Sequence, residues 1–256
     1  LGIKLFNRTT RIVRATEVGL RYLEDVGRIL TEVETADEAA AGINAEPRGQ
    51  LAVTAPVLFG RLFVMQHIVE YLSSYPEVEV NALFLDRNVG LIEEGIDVAI
   101  RIGELPDSNL HALRVGSVRV VLVASPDYIE RNGLPESPLD LSDRQFIATT
   151  AGNSAMGWRF HFPDGERSVR IKSRLQVTAN DAAIEAARCG FGITRVMSYQ
   201  VARHLADGSL NILLADFEPA PRPIHIVHRE GRNASTKTRA FIDLLAHRLR
   251  QDKALN

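Results

Sequence analysis

The chain has 256 residues, 45% hydrophobic and 24% charged, with a formal net charge of −2, a composition ordinary for one large or two smaller globular domains. No apolar run approaches the ~18–20 residues needed to cross a bilayer, so no membrane span is expected. The single cysteine, Cys189, excludes an intrachain disulfide and fits a reducing compartment, which makes the cytoplasm the expected location. The sequence opens Leu1-Gly2-Ile3-Lys4, without an initiator Met or the apolar core of a signal peptide, and so reads as an internal fragment.

Charge is unevenly spread. Residues 1–16 carry Lys4, Arg8, Arg11 and Arg14 and no acid, whereas acids predominate from Glu17 to Glu46. A basic start on a near-neutral body is either a local anion-binding element or a solvated tail. Residues 17–43 then read as one helix, with Thr16 as N-cap and Glu17 in the first turn. Gly19, Tyr22, Val26, Ile29, Val33, Ala36, Ala40 and Ile43 recur at alternating steps of three and four, an a/d seam that favours supercoiling against another helix. Such a stripe either pairs with a second copy or packs on its own domain. The helix ends at Gly42 and Asn44 in a short hinge, 44–49, which leaves little local core for it to cover and favours the intermolecular seam.

Beyond Pro47 strands and helices alternate. Gln50–Thr54 reads as a strand, Leu58–Ser74 as a helix, Val78–Leu85 as a strand, Val89–Glu94 as a short helix closed by Gly95, and Asp97–Ile102 as a strand. Val118–Ala124 is an apolar run but for Arg119 and is expected to be one buried strand, and Ser125-Pro126-Asp127 opens a helix. A second unit has strands at Phe146–Thr150, Trp158–Phe162, Val169–Lys172 and Leu175–Thr178, then a helix from Asn180 or Asp181 to Cys189 that Gly190 and Gly192 terminate. Ile193 and Val196, a helix through Leu205, strands at Leu210–Leu214 and Ile224–His228, and a last helix capped by Ser235 complete it. The expected fold is α/β with two lobes, 50–147 plus 226–256 and 148–225, and a cleft where parallel strands end.

Several stretches together carry a family resemblance. Leu1-Gly-Ile-Lys-Leu-Phe-Asn-Arg-Thr-Thr-Arg11 with Thr16-Glu-Val-Gly19, Leu51-Ala-Val-Thr-Ala-Pro56, Leu85 through Gly103, Asn180-Asp181, Gly190-Phe-Gly-Ile193 and Ala240-Phe-Ile-Asp243 resemble LysR-type transcriptional regulators, in family order along essentially the whole chain. The resemblance implies the end of a winged helix-turn-helix at 1–16, a dimerising linker helix at 17–43, and two Rossmann-like lobes of the periplasmic-binding-protein type. It further implies a homodimer or tetramer that binds operator DNA, responds to a small effector, and has RNA polymerase as a further candidate partner. The recognition helix would precede Leu1, so weak and unselective DNA binding is expected of this chain. Arg8 and Arg11 match wing positions, where basic side chains meet phosphate or the minor groove. The sequence departs from the family at Thr194-Arg195-Val196-Met197, where small or apolar residues and a Pro are usual; Arg195 either pairs on the surface or reaches the ligand. Ala151 to Met156 replaces a variable segment expected at a cleft lip.

Carried over position by position, the family's pocket falls on Thr54, Ala55, Pro56 and Val57, on Arg101 and Gly103, on Thr149 and Thr150, and on Asn180 and Ile193. Hydroxyls, an amide and backbone N–H groups near two helix starts point to a small polar or anionic effector. Thr54 and Asn180 could equally be helix caps, and Arg101 could point away from the cleft, since strand side chains alternate. Other chemistry is weak. His225 and His228 face opposite ways on a strand and make a poor metal pair; His161 reads as packed or exposed, Cys189 as a buried small hydrophobe, and Glu93 and Glu94 as a solvated helix face. No nucleophile elbow, phosphate loop or Cys-x-x-Cys occurs, so no catalysis, metal or cofactor is expected. The rival reading, a periplasmic-type solute-binding protein, would call for a secretion signal and no heptad helix.

Overall fold

The computed structural model describes residues 2–8, 13–23, 25–27, 29, 33, 46–150, 158–229 and 234–255. An antiparallel hairpin, β1 (Phe6–Arg8) and β2 (Val13–Ala15), opens the chain with Phe6 opposite Ala15 and Arg8 opposite Val13. A helix, α1, follows and is helical at residues 17–23, 25–27, 29 and 33. The Thr16 hydroxyl accepts from the Gly19 N–H at 2.9 Å and donates to the Lys4 carbonyl at 2.9 Å, so one side chain caps the helix and ties it to the hairpin. Gly19 is buried there: a Cβ on it would lie 2.0 Å from the Leu5 carbonyl oxygen. It therefore packs helix on hairpin rather than extending the apolar seam. Along that seam Tyr22, Ile29 and Val33 are 42%, 58% and 52% exposed, and Val26 is half-buried. Ala36, Ala40 and Arg11 lie outside the described residues.

The first lobe begins with β3 (Gly49–Ala55), whose Leu51, Val53 and Ala55 are buried as a central strand requires. A helical stretch follows as α2 (Val57–Phe59), a π-turn (Gly60–Val64) and α3 (Met65–Ser74). The π-turn sets Gly60 against the Phe84 ring, where a Cβ would come within 2.4 Å. Next come β4 (Val78–Phe84), β5 (Val98–Ile102) and β6 (His111–Val118). Residues 91–95 form hydrogen-bonded turns instead of the helix expected over Val89–Glu94, closed by Gly95 at φ +63° with Ile96 N–H on the Leu91 carbonyl at 2.8 Å. A short stretch broken by two glycines cannot repay helix nucleation.

The second lobe holds β7 (Val120–Ala124), α4 (Pro126–Asn132), β8 (Phe146–Thr149), a hairpin of β9 (Trp158–Phe162) and β10 (Gly165–Val169), β11 (Ser173–Val177), α5 (Asn180–Arg188), β12 (Ile193–Met197), α6 (Ser198–Ala206) and β13 (Asn211–Leu213). The strand read at Val169–Lys172 lies earlier, because Pro163-Asp164 forms a two-residue turn and Gly165 pairs with Phe162. The chain then returns as β14 (Arg222–His228) and ends in α7 (Thr236–Gln251), which Ser235 caps.

The two sheets share one order. In the first it is β4-β3-β5-β14-β6 and in the second β11-β8-β12-β7-β13. Each has three parallel strands, then an antiparallel strand that has crossed from the other lobe, then a last strand. The crossing corrects the expected boundaries. Val118–Ala124 is two strands, β6 and β7, in different sheets; Phe146–Thr149 belongs wholly to the second lobe; and the return falls between β13 and β14 rather than at 225–226. At the first crossing the Arg119 carbonyl accepts from Ser198 N–H at 2.9 Å, and the Arg119 guanidinium meets both Glu218 oxygens at 3.2 Å.

Leu51, Val53, Val98, Ile100 and Ile226 form the first core with Tyr71 and Phe241. The Tyr71 hydroxyl donates to the Lys237 carbonyl at 2.8 Å, joining α3 to α7. In the second lobe Ala183, Ile184 and Ala187 of α5 join Val121, Val123 and Ile147, while Trp158, Phe160 and Phe162 of the hairpin pack with Phe146 and Ile193 in a separate cluster. Among the described residues no helix is long and apolar enough to cross a membrane.

Candidate functional site

The parallel strands of both sheets end at a cleft between the lobes of about 870 Å³, a volume suited to a small organic molecule. Thr54, Ala55 and Pro56 line it from the end of β3, Arg101 from β5, Thr150 from beyond β8, and Asn180 from the start of α5. Val57, Gly103, Thr149 and Ile193 do not line it. Ile193 is fully buried in the second core; the Gly103 N–H is bound to the Pro223 carbonyl at 2.8 Å. Arg8 ends β1 in the hairpin, away from this cleft in sequence and in sheet.

The polar chemistry differs from that expected of two bare helix starts. The Val57 N–H at the start of α2 already donates to Asp86 Oδ1 at 3.0 Å, and in α5 the Ala182 N–H donates to its neighbour Asp181 at 2.9 Å. Each helix start therefore carries its own carboxylate. Thr54 is no cap, since its hydroxyl donates to the Leu83 carbonyl at 2.7 Å and joins β3 to β4; the N-cap of α5 is Ala179, with no side-chain cap bond from Asn180.

Positive charge comes from side chains instead. Arg101 does face the cleft, with its guanidinium on Asn88 Oδ1 at 3.1 Å and on the Val89 carbonyl. Arg87 is held bidentately by Glu94 at 2.7 and 2.6 Å, which keeps the Glu94 carboxyl below the usual range. Arg195, the departure from the family pattern, lines the cleft from β12, as do Met197 two residues on and Arg222 at the start of β14. Its Nη1 is buried without a hydrogen-bond partner, and its guanidinium lies over the Trp158 ring at 5.6 Å. Burial first, then repulsion from Arg222 and Arg159, pushes Arg195 down to about 10. It remains charged at neutral pH. Arg222 escaped sequence reading because the surrounding prolines marked the segment only as a crossing.

Beside Arg195, Tyr199 of α6 reaches across the lobes. Its ring stands edge-on to Phe59 at 5.3 Å and to Phe63 at 5.7 Å, and burial raises its phenol above the ordinary value. Elsewhere, Cys189 is exposed rather than buried, because it sits at the C-cap of α5 with its thiol 3.6 Å from Glu185. His161 is exposed on β9. Among the described residues no group of three or more His, Cys, Asp or Glu could hold a metal.

This architecture has counterparts. Residues 44–250 match the family model described as the LysR substrate binding domain. An HTH-type transcriptional regulator of Xanthomonas campestris pv. campestris is 33% identical over 256 residues, spanning 98% of this chain and 74% of the relative. The regulator CrgA of Neisseria meningitidis serogroup B is 29% identical over 97% of this chain and 83% of its own. A CrgA structure superposes with a TM-score of 0.72 at 27% identity over 97% and 84%, and the full-length virulence activator AphB of Vibrio cholerae with 0.73 at 25% identity over 96% and 84%. The chain belongs to the LysR family of transcriptional regulators and carries that family's effector-binding fold. The solute-binding alternative is not favoured, since these relatives are named as regulators.

Proposed function

We propose that this chain senses a small polar or anionic metabolite in the interlobe cleft and passes that state through α1 to paired heads on operator DNA. The observation that carries it is a cleft walled by both sheets, with two chain crossings joining the lobes among the described residues. A ligand touching both walls stabilises one lobe angle over another by its differential affinity, and a population shift follows. The exposed stripe of Tyr22, Ile29 and Val33 on α1 is the surface that a second copy would cover, giving a homodimer or tetramer in the cytoplasm, with RNA polymerase as a further partner. The DNA contact at the wing is assigned to Arg8 and Arg11, and the effector contacts to the six cleft-lining residues named above, Thr54, Ala55, Pro56, Arg101, Thr150 and Asn180.

The test is a thermal-stabilisation screen of the full chain against acidic and neutral metabolites, with scattering on each hit. A compound that stabilises and compacts the chain, and loses both effects on Thr150→Tyr in the cleft wall, supports the reading. Failure of every compound to stabilise or compact it would remove the reading.

A further inference from the structure

We infer that Arg195 is the anchor for a carboxylate on the effector, so that this cleft selects a small organic acid. The inference rests on the effector reading above and adds the ligand's chemical class and the residue that sets it.

Arg195 lies on a cleft wall with Nη1 out of solvent and no acceptor in reach. Unpartnered buried donors are rare because each forfeits its hydration without return. Nothing else in the wall supplies that return. Glu94 is committed to Arg87, Asp86 accepts from Val57, and Glu104 is exposed to solvent. The Trp158 ring offers only its face, which steadies the cation without accepting two parallel N–H bonds. Arg222 adds a second positive charge from the crossing strand, repelling Arg195 and joining it in attracting an anion. A planar guanidinium fork matches a carboxylate bidentately. Leu85, Leu105, Pro106 and Met197 supply apolar surface among polar lining residues such as Asn88, Thr150, Thr178 and Asn180, so the rest of the acid meets a mixed wall.

The probes are benzoate and hexanoate, each beside its amide, and inorganic phosphate, tested at up to about 10 mM by thermal shift and calorimetry on the full chain. At least one acid is expected to stabilise the chain and to bind about tenfold or more tightly than its amide and than phosphate. In Arg195→Met the acid should fall to the amide's level while the unliganded melting temperature rises, which a purely structural arginine would not allow. Arg195→Lys should keep part of the acid preference, since charge remains and the fork is lost. Equal binding of acid and amide, acid binding unaffected by Arg195→Met, a lower unliganded melting temperature in that variant, or no acid binding would each overturn the inference. If neutral metabolites still stabilise and compact the chain, the inference falls alone; if no compound does, the effector reading falls with it.

Discussion

Both lobes present an arginine to the cleft from the same topological place, the third parallel strand of each sheet, and wire it in opposite ways. In the first lobe the residues before β5 form turns that leave Asn88 and the Val89 carbonyl beside Arg101. In the second lobe the element before β12 is the helix α5, whose carbonyls serve its own ladder, and Arg195 is left with a buried nitrogen and no acceptor. A cation satisfied by its own fold braces the wall it stands in. One left unsatisfied, beside a second cation, stores a cost that an anionic ligand relieves.

The largest expected effect comes from giving Arg195 the acceptor that it lacks. Met197 shares its face of β12 two residues on, so Met197→Glu should pair with the guanidinium and weaken acid binding by about 10–100-fold in calorimetry. Next, Arg195→Met should raise the unliganded melting temperature by about 3–6 °C, removing a burial penalty on the order of 1–3 kcal/mol. The sign follows from linkage. Burial holds Arg195 down to about 10 in the folded chain, below its ordinary value, so above about pH 10 the unfolded chain holds more protons and wild-type stability rises with pH there. The advantage of Arg195→Met should thus be full at pH 7 and shrink as pH climbs past about 10, as read from denaturant midpoints.

Arg101→Met should do the reverse and lower the melting temperature by about 2–4 °C, since it orphans the Asn88 and Val89 acceptors at roughly 1 kcal/mol. The smallest effect belongs to the exposed Arg87–Glu94 pair. Glu94→Gln should reduce stability slightly at neutral pH, and the difference should vanish in acid. The depressed Glu94 carboxyl stabilises the fold above its unfolded value and loses that contribution as pH falls through the folded one.

The sheets were legible where side chains repeat with a short period. The inward Leu51, Val53 and Ala55 of β3 and the Trp158, Phe160, Phe162 alternation of β9 announce strands without help from the rest of the molecule. The lobe boundary was not, because Val118 and Val120 flank a single arginine in an apolar run, and only the hydrogen bonds of Arg119 to the second lobe reveal the break. In the cleft, the resemblance led to the ends of β3 and β5 and to the start of α5. It misplaced the charge, since Asp86 meets the start of α2 from a segment 29 residues away, a tertiary contact that spacing cannot show. Strand alternation set Arg195 opposite Thr194 and Val196, yet which face looks into the cleft depends on how two sheets are joined.

The most direct measurement is the distance across the cleft between spin labels at exposed Cys189 in the second lobe and at Glu79→Cys on β4 in the first. With a compound from the metabolite screen at saturation, the distribution should shift and narrow in the wild-type background and stay unchanged in Thr150→Tyr. A saturating ligand that left the wild-type distribution as it was would contradict the claim that occupancy of this cleft resets the angle between the lobes.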